Sequence, residues 1–245
     1  RGPGREKAGW RAARGRLRFP VLERCVGDVG EFVRSHWGRA PMVHRTGTRF
    51  DDLLSAGVIV DLLELAARRP LFRMVRDGST LPPSAYTRSV RMGGVWASDV
   101  ADVDAISREF AAGATLVMQS LERWHPALRA FVAALSDETS HPTQANAYLT
   151  PVGSTGLAAH RDGHDVLVLH VDGHKTWTVA GLPTVELGPG DVMYIPRGVR
   201  HSAATAAQSS LHITIGITAV TGLDLVKRSL AGVAELQAPL PLGFA

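Results

Sequence analysis

The sequence has little cysteine and no long apolar run. Cys25 is the only cysteine among 245 residues, so no disulfide can form within one chain, and we expect a reducing, cytoplasmic compartment. No apolar stretch approaches the roughly 18 residues that a membrane-spanning helix needs, and no signal-peptide pattern opens the chain. These absences lead us to expect no membrane partner.

Acidic residues are scarce in one segment. Residues 1–18 contain seven Arg or Lys and a single acid, Glu6. The segment contributes +6 to a net charge of +4, so the remainder sums to −2. We interpret residues 1–25 as a basic N-terminal arm, which is either a solvated terminus or a segment that docks on RNA or an acidic peptide. Nothing else in the charge pattern predicts a nucleic-acid partner.

The first half of the chain has helical periodicity. Apolar residues recur at helical spacing in five segments, and short strand-like runs lie between them. The predicted helices are 28–37, 50–55, 58–68, 99–112 and 124–135, and the predicted strands are 71–75 and 115–118. We therefore predict a mostly helical region with some strands over residues 26–140, packed on the C-terminal half of the chain.

The second half changes character near Gln144. Short apolar or alternating runs are now separated by Gly and Pro turn signals, which is typical of a jelly-roll barrel. The fold class we predict is mainly β with a helical annex: a double-stranded β-helix barrel over residues 141–221, preceded by α-helices. A short C-terminal helix and tail would occupy 222–245. The predicted strands are 144–150, 157–160, 166–171, 176–179, 192–195 and 211–217.

Three residues have the types that a mononuclear iron oxygenase needs. Such a site binds its metal with two imidazoles and one carboxylate on one face. His160 and Asp162 are two residues apart, so on a strand their side chains would leave the same face. His201 follows a Gly-Pro-Gly-Asp turn, an apolar strand and a proline, and it can face back into the barrel.

Two other histidines compete with this assignment. His170 and Asp172 repeat the same spacing, but Asp172-Gly173 is a hairpin-turn dipeptide, so we expect that carboxylate to shape a turn. His212 alternates with apolar residues on a predicted strand, and we interpret it as a satisfied, partly buried structural residue.

Lys175 is unusual at the start of a strand of apolar and threonine residues. 2-Oxoglutarate, the co-substrate of many such iron sites, would place its 5-carboxylate deep in the barrel. A buried carboxylate without a cation is costly, so we predict that Lys175 binds it.

These motifs resemble a known family. Residues 145–169, 173–177 and 189–201, together with 31–45 and 113–118, are similar to JmjC-type cupins related to the ribosomal oxygenases. The resemblance covers roughly residues 30–220. It implies iron at His160, Asp162 and His201, Lys175 on the 2-oxoglutarate 5-carboxylate, and Asn146 and Tyr148 lining that pocket.

The resemblance also implies a reaction. Such enzymes use O₂ to hydroxylate protein side chains, at the β-carbon of histidine or arginine. His170 and His174 depart from the family pattern, and relatives continue into a helical dimerisation region and a winged-helix module. Oligomeric state is therefore left open.

We accordingly expect an Fe(II)- and 2-oxoglutarate-dependent oxygenase acting on a peptide or protein. The substrate would be a ribosomally made natural-product peptide or a ribosomal protein. The alternatives are the same chemistry on a small molecule, lysine demethylation, and a cupin that binds metal without turnover.

Overall fold

The computed structural model describes residues 18–65, 67–205 and 207–239. Most of the predicted basic arm, residues 1–17, lies outside the described residues. The boundary predicted at residue 25 is too late, because Pro20–Val26 forms helix α1 with Leu22 and Cys25 buried. The carboxylate of Glu138 accepts hydrogen bonds from the backbone N–H groups of Val21 (3.0 Å) and Leu22 (2.8 Å), which joins this helix to the body.

Four of the remaining helices begin at residues that cap them. The side chains of Asp28, Ser55, Asp102 and Thr221 each accept a hydrogen bond from a backbone N–H in the first turn of the helix that each precedes. The helices are α2 (Val29–Glu31), which continues as a π-helical turn (Phe32–His36), α3 (Ala56–Glu64), α4 (Val103–Ala111), α5 (Pro126–Thr139) and α6 (Gly222–Leu230). Short 3₁₀ turns occupy Pro83–Ala85, Leu121–Arg123 and Ala234–Gln237.

Several helix predictions are wrong in existence or extent, and two of them matter for the fold. Residues 50–55 form turns, and the helix predicted over 99–112 begins only at Val103. The residues before it belong to a strand, Val95–Ala101, and Asp102 separates the two elements by capping α4.

The strands form two facing sheets and a separate hairpin. They are β1 (Met42–Arg45), β2 (Phe72–Arg76), β3 (Ser79–Thr80), β4 (Thr87–Met92), β5 (Val95–Ala101), β6 (Thr115–Met118), β7 (Thr143–Thr150), β8 (Asp165–Asp172), β9 (Lys175–Val179), β10 (Val185–Leu187), β11 (Asp191–Ile195), β12 (His201–Ala204) and β13 (Ser210–Ile217). The large sheet has the order β1-β11-β8-β13-β7-β6-β2-β3, the small one β10-β9-β12, and β4 pairs with β5.

Strand β8 shows how the sheets are packed. Leu167 and Leu169 lie in a core shared with the helices, while Val166 and Val168 belong to a second core with Trp177 of the small sheet. The period-2 alternation thus buries one face under helices and the other inside the barrel. The predicted fold class, a jelly-roll barrel with a helical annex, is confirmed.

The N-terminal half contributes more strand than its periodicity indicated. Strands β1, β2, β3 and β6 all join the large sheet, so residues 26–140 complete the barrel wall as well as covering it. Among the described residues, no helix is both long enough and apolar enough to cross a bilayer.

Candidate metal centre

His160, Asp162 and His201 meet at one end of the barrel. One ligand atom from each lies within 4.8 Å of the others. The carboxylate of Asp162 is 3.7 Å from His160 Nε2 and 3.4 Å from His201 Nε2. The structure therefore brings the three predicted ligands together, with His201 the most buried and His160 at the opening.

The backbone positions both histidines, although not as predicted. Residues 157–164 form no regular strand; instead, His160 forms an isolated bridge with His201. Each of these residues donates its N–H to the other's carbonyl at 3.0 Å. The expectation that a strand would align His160 with Asp162 is wrong, and a reciprocal pair of hydrogen bonds positions His160 instead.

Hydrogen bonds also orient the two imidazole rings. Nδ1 of His160 lies 2.9 Å from the carbonyl of Ala158, and Nδ1 of His201 lies 3.1 Å from that of Val199. A proton on each Nδ1 satisfies these carbonyls and leaves each Nε2, close to the Asp162 carboxylate, unprotonated and able to bind a metal. Burial lowers the pKa of His201, with a further contribution from His160, which keeps this ring neutral as a metal ligand must be.

The loops that carry the ligands are tied together by a buried carboxylate. Asp165 accepts a 2.7 Å hydrogen bond from the Tyr194 hydroxyl and a 3.2 Å bond from the N–H of Arg197. The Tyr194 oxygen in turn accepts from the N–H of Gly38. In addition, Gly198 donates its N–H to the carbonyl of Asp162 at 2.8 Å. The ligand geometry is thus set by several independent bonds.

An inner pocket extends from the ligands into the barrel, and Lys175 lies on its wall. This lysine begins β9, as predicted, and is only 4% exposed. Its ammonium donates a 2.8 Å hydrogen bond to the hydroxyl of Thr150, and it makes no ion pair with any described residue. Burial alone lowers its pKa to about 7. The pocket therefore contains an amine whose protonated form has no anionic partner among the described residues.

Asn146 and Tyr148 both line the inner pocket, as expected from the resemblance. Both lie on β7, two residues apart, so they face the same side. The side-chain oxygen of Asn146 accepts a 3.0 Å hydrogen bond from the N–H of Ser120, which fixes its orientation. Burial raises the pKa of Tyr148, so its hydroxyl stays protonated and able to donate.

His212 lies on β13, as predicted, but it also lines the inner pocket. It is 3% exposed, and its Nδ1 has no hydrogen-bond partner among the described residues. It stacks on Tyr148 with ring centroids 5.0 Å apart and on His170 at 6.3 Å. The prediction that His212 is a hydrogen-bonded residue is therefore wrong for Nδ1, whereas its predicted position on a strand, outside the ligand set, agrees with the structure.

The register of the large sheet explains this row of rings. Tyr148 pairs with His212, and His212 pairs with His170, so their side chains share one face. Asp172, by contrast, is exposed beside the turn at Gly173, as predicted. His170 is buried, with Nε2 3.0 Å from the carbonyl of Gly173.

Sequence reasoning missed two further residues of the site. Thr150 bridges Lys175 to Thr115, whose hydroxyl donates to it at 3.3 Å. Arg73 lies beside Tyr148 and the metal ligands, in a groove on the outer side of the site. A threonine that ends a strand and an arginine on a short strand carry no local signal of either role.

The comparisons with known proteins agree with this geometry. A family model described as a JmjC domain matches residues 123–186 and 182–225. Together these two matches span residues 123–225 of the 245-residue chain. A relative from Culex quinquefasciatus named bifunctional lysine-specific demethylase and histidyl-hydroxylase NO66 is 28% identical, and the alignment covers 94% of this chain and 38% of that protein. Ribosomal oxygenase 1 of Gallus gallus is 29% identical over 76% of this chain and 34% of its own length.

A solved structure shares the fold of this chain. The ribosomal oxygenase YcfD of Escherichia coli superposes with a TM-score of 0.63 at 19% identity, covering 90% of this chain and 62% of that one. Another structure of YcfD contains cobalt and 2-oxoglutarate. The chain therefore spans only about a third of the curated relatives' length and under two thirds of YcfD.

The residues present suit a divalent metal and a dicarboxylate. Two neutral imidazoles and one carboxylate are the ligand set of non-haem iron sites with open positions. A buried ammonium in the same pocket, with no ion-pair partner among the described residues, suits a carboxylate at a distance from the metal, because a lone buried charge is costly until it is paired.

Proposed function

We propose that this protein is an Fe(II)- and 2-oxoglutarate-dependent oxygenase that hydroxylates a side chain of a peptide or protein. The expected target atom is the β-carbon of a histidine or arginine. The observation that carries the proposal is the pairing, in one pocket, of the His160, Asp162 and His201 ligand set with the buried Lys175.

Each residue has a defined task in this proposal. His160, Asp162 and His201 would hold the iron, which when bound supplies the activation of O₂ coupled to oxidation of 2-oxoglutarate. Lys175 and Thr150 would bind the far carboxylate of the co-substrate. The aromatic wall of Tyr148, Trp177 and His212 keeps bulk water from that end of the pocket.

The similar proteins support the reaction class. Two relatives are named as a ribosomal oxygenase and as a histidyl-hydroxylase, and YcfD has been solved with cobalt and 2-oxoglutarate. One of those names also includes lysine demethylation. Both reactions would use the same ligand set, so the product decides between them.

The direct test is co-substrate turnover. Protein reconstituted with Fe(II) should convert 2-oxoglutarate to succinate in the presence of O₂, measured by NMR, and should stop when iron is chelated. The matched control is His174→Ala, which replaces an exposed histidine outside the ligand set. The His201→Ala variant should be inactive and the His174→Ala variant active. The proposal would be contradicted if the unaltered protein bound neither iron nor 2-oxoglutarate.

The product distinguishes the reactions. Peptides from the host proteome that gain one oxygen atom by mass spectrometry would support hydroxylation, whereas loss of a methyl group from lysine would support demethylation. Tandem spectra then locate the oxygen on histidine, arginine or another residue.

A further inference from the structure

A second depression, which we call the entry groove, borders the metal ligands on the outside. It is lined by Arg73, Gly78, Tyr148, Leu157–Ala159, His160 and Asp162. Tyr148 also lines the inner pocket, so the groove leads directly to the site where a target side chain would react. The walls are otherwise small or apolar, and Gly78 and Ala158 approach so closely that a Cβ at Gly78 would lie 2.9 Å from that of Ala158.

Arg73 is the cation of the entry groove. It projects from β2, and its guanidinium donates a 3.2 Å hydrogen bond to the hydroxyl of Thr80. It makes no ion pair within the part of the chain that the structure describes. Since a guanidinium has five N–H donors, most of its hydrogen-bonding capacity is available to a ligand.

No carboxylate among the described residues lies close enough to Arg73 to form an ion pair with it. Of the described residues that line the groove, Asp162 is the only acid, and it belongs to the proposed ligand set. The two loops that carry the ligands add three arginines, Arg161, Arg197 and Arg200, and none of them forms an ion pair among the described residues. The opening is therefore locally basic on a body whose residues after 18 sum to −2.

We infer that the entry groove selects an acidic peptide, with Arg73 binding a carboxylate next to the residue that enters the site. Arginine matches a carboxylate in a bidentate fork, and a half-buried position strengthens the pair relative to an exposed one. The same charge repels a substrate arginine or lysine. The inference rests on the proposed function and narrows it: a histidine flanked by acids is favoured over an arginine in a basic segment.

A nucleic acid is a poorer match for this groove. Binding to a phosphate backbone depends on several basic side chains that neutralise successive phosphates. Arg73 is the only arginine among the described residues that line the groove, and Arg161, Arg197 and Arg200 lie on the ligand loops outside it. The groove itself therefore suits one side chain with one neighbouring carboxylate.

The test uses direct binding, without turnover. Three fluorescein-labelled peptides carry a central histidine in a Gly/Ser chain and differ only in flanking residues, which are Glu, Gln or Lys. Their affinities for the full chain, loaded with Co(II) and 2-oxoglutarate, are measured by fluorescence anisotropy. We expect the Glu peptide to bind about tenfold more tightly than the Gln peptide at low salt, and the Lys peptide most weakly.

Variants assign the preference to one residue. Arg73→Gln should remove most of the preference for Glu over Gln, and Arg73→Glu should reverse it toward the Lys peptide, a gain that a misfolded protein cannot show. Arg88→Gln is the matched control, because Arg88 is exposed on β4 outside the groove. The basic residues 1–18 are present in every variant, so their contribution cancels in the ratios.

The outcomes separate this inference from the proposed function. Equal affinity for the three peptides, a preference that survives Arg73→Gln, or tighter Arg73-dependent binding of a uridine hexamer would each overturn the acidic-peptide inference. Titrations of Co(II) and 2-oxoglutarate are made in parallel. If the protein binds Co(II) and 2-oxoglutarate but shows no peptide preference, only the acidic-peptide inference is overturned. If it shows the peptide preference but binds neither Co(II) nor 2-oxoglutarate, only the proposed function is overturned.

Discussion

At the scale of single residues, Lys175 departs furthest from its ordinary environment. A lysine that is 4% exposed, with a threonine hydroxyl as its hydrogen-bond partner, loses much of its hydration without gaining an opposite charge from any described residue. Such an arrangement destabilises the empty protein and favours any ligand that brings a carboxylate. If Lys175 binds the far carboxylate of 2-oxoglutarate, as proposed, the stability lost in the empty protein is recovered when the co-substrate binds.

Replacing this lysine should separate metal binding from co-substrate binding. Lys175→Met keeps the length of the side chain but leaves the far carboxylate unpaired, which costs roughly 3–5 kcal/mol, on the order of a hundredfold or more in affinity. Calorimetry with 2-oxoglutarate on the Co(II)-loaded protein should show this loss, while Co(II) affinity stays unchanged. Lys227→Met, on the exposed helix α6, is the control. An unchanged affinity for 2-oxoglutarate in Lys175→Met would refute the pocket assignment.

The pKa of Lys175 also predicts a pH dependence of co-substrate affinity. Burial lowers this pKa to about 7 in the free protein, and a bound carboxylate would raise it, so binding takes up a proton above pH 7. The dissociation constant of 2-oxoglutarate should therefore rise between pH 7 and 9, by up to about tenfold per pH unit. Lys175→Arg should flatten the profile, because a guanidinium stays charged throughout that range. A flat profile in the unaltered protein would count against the assignment.

The lowered pKa of His170 predicts that the stability of the fold decreases at acid pH. Burial lowers its pKa to about 4, below the value near 6.5 of an unfolded histidine. The unfolded state thus binds the proton more readily, and stability is lost as pH falls from about 6.5 toward 4. At pH 5 the titration of His170 should lower the free energy of unfolding by about 2 kcal/mol relative to neutral pH. In the His170→Gln variant the side-chain amide can still donate to the Gly173 carbonyl. Between neutral pH and pH 5, its free energy of unfolding, measured with urea, should therefore fall by about 2 kcal/mol less than that of the unaltered protein. An equal fall in both proteins would exclude His170 as the cause.

At the scale of elements, local patterns predicted strands better than the loops between them. Alternation and turn signals located β8, β9 and β13 to within one or two residues. The segment around His160 was wrongly predicted to be a strand, because its backbone partner is His201, about forty residues away and invisible to any local pattern. The same reason hid His212 and Thr150, whose positions in the pocket depend on strand register.

The hydrogen bonds that join the ligand loops through Tyr194 and Asp165 should affect metal binding when they are removed. Tyr194→Phe deletes the hydroxyl that donates to Asp165 and accepts from Gly38. Leaving those buried groups unpaired should lower the free energy of unfolding by about 1–3 kcal/mol. It should also weaken Co(II) binding roughly tenfold, since Asp165 fixes the loop that carries Asp162. Urea unfolding and Co(II) absorbance titration measure the two effects, and a loss of stability with intact Co(II) affinity would show that these hydrogen bonds do not position the ligands.

At the scale of the whole molecule, the barrel is completed by distant parts of the chain. Strand β1 pairs with β11, bringing Arg45 opposite Asp191, and β6 pairs with β7. The short apolar runs and Gly/Pro turns of residues 144–217 were enough to predict the fold class. They did not predict that strands from the N-terminal half join the same sheet. Strand pairing is decided by contacts between segments far apart in the chain, and periodicity within one segment carries no information about its partner.

The ligand set joins elements from both sheets, so metal binding should stabilise the whole fold. Asp162 lies on the loop before β8 of the large sheet and His201 begins β12 of the small one. A metal that binds only the folded state contributes about 2.7 kcal/mol at one hundred times its dissociation constant. For a chain of this size that should raise the melting temperature by roughly 5–10 °C. Scanning calorimetry with Co(II) should show the rise in His174→Ala and not in His201→Ala, because two remaining ligands bind the metal too weakly. A similar rise in His201→Ala would place the stabilising metal elsewhere.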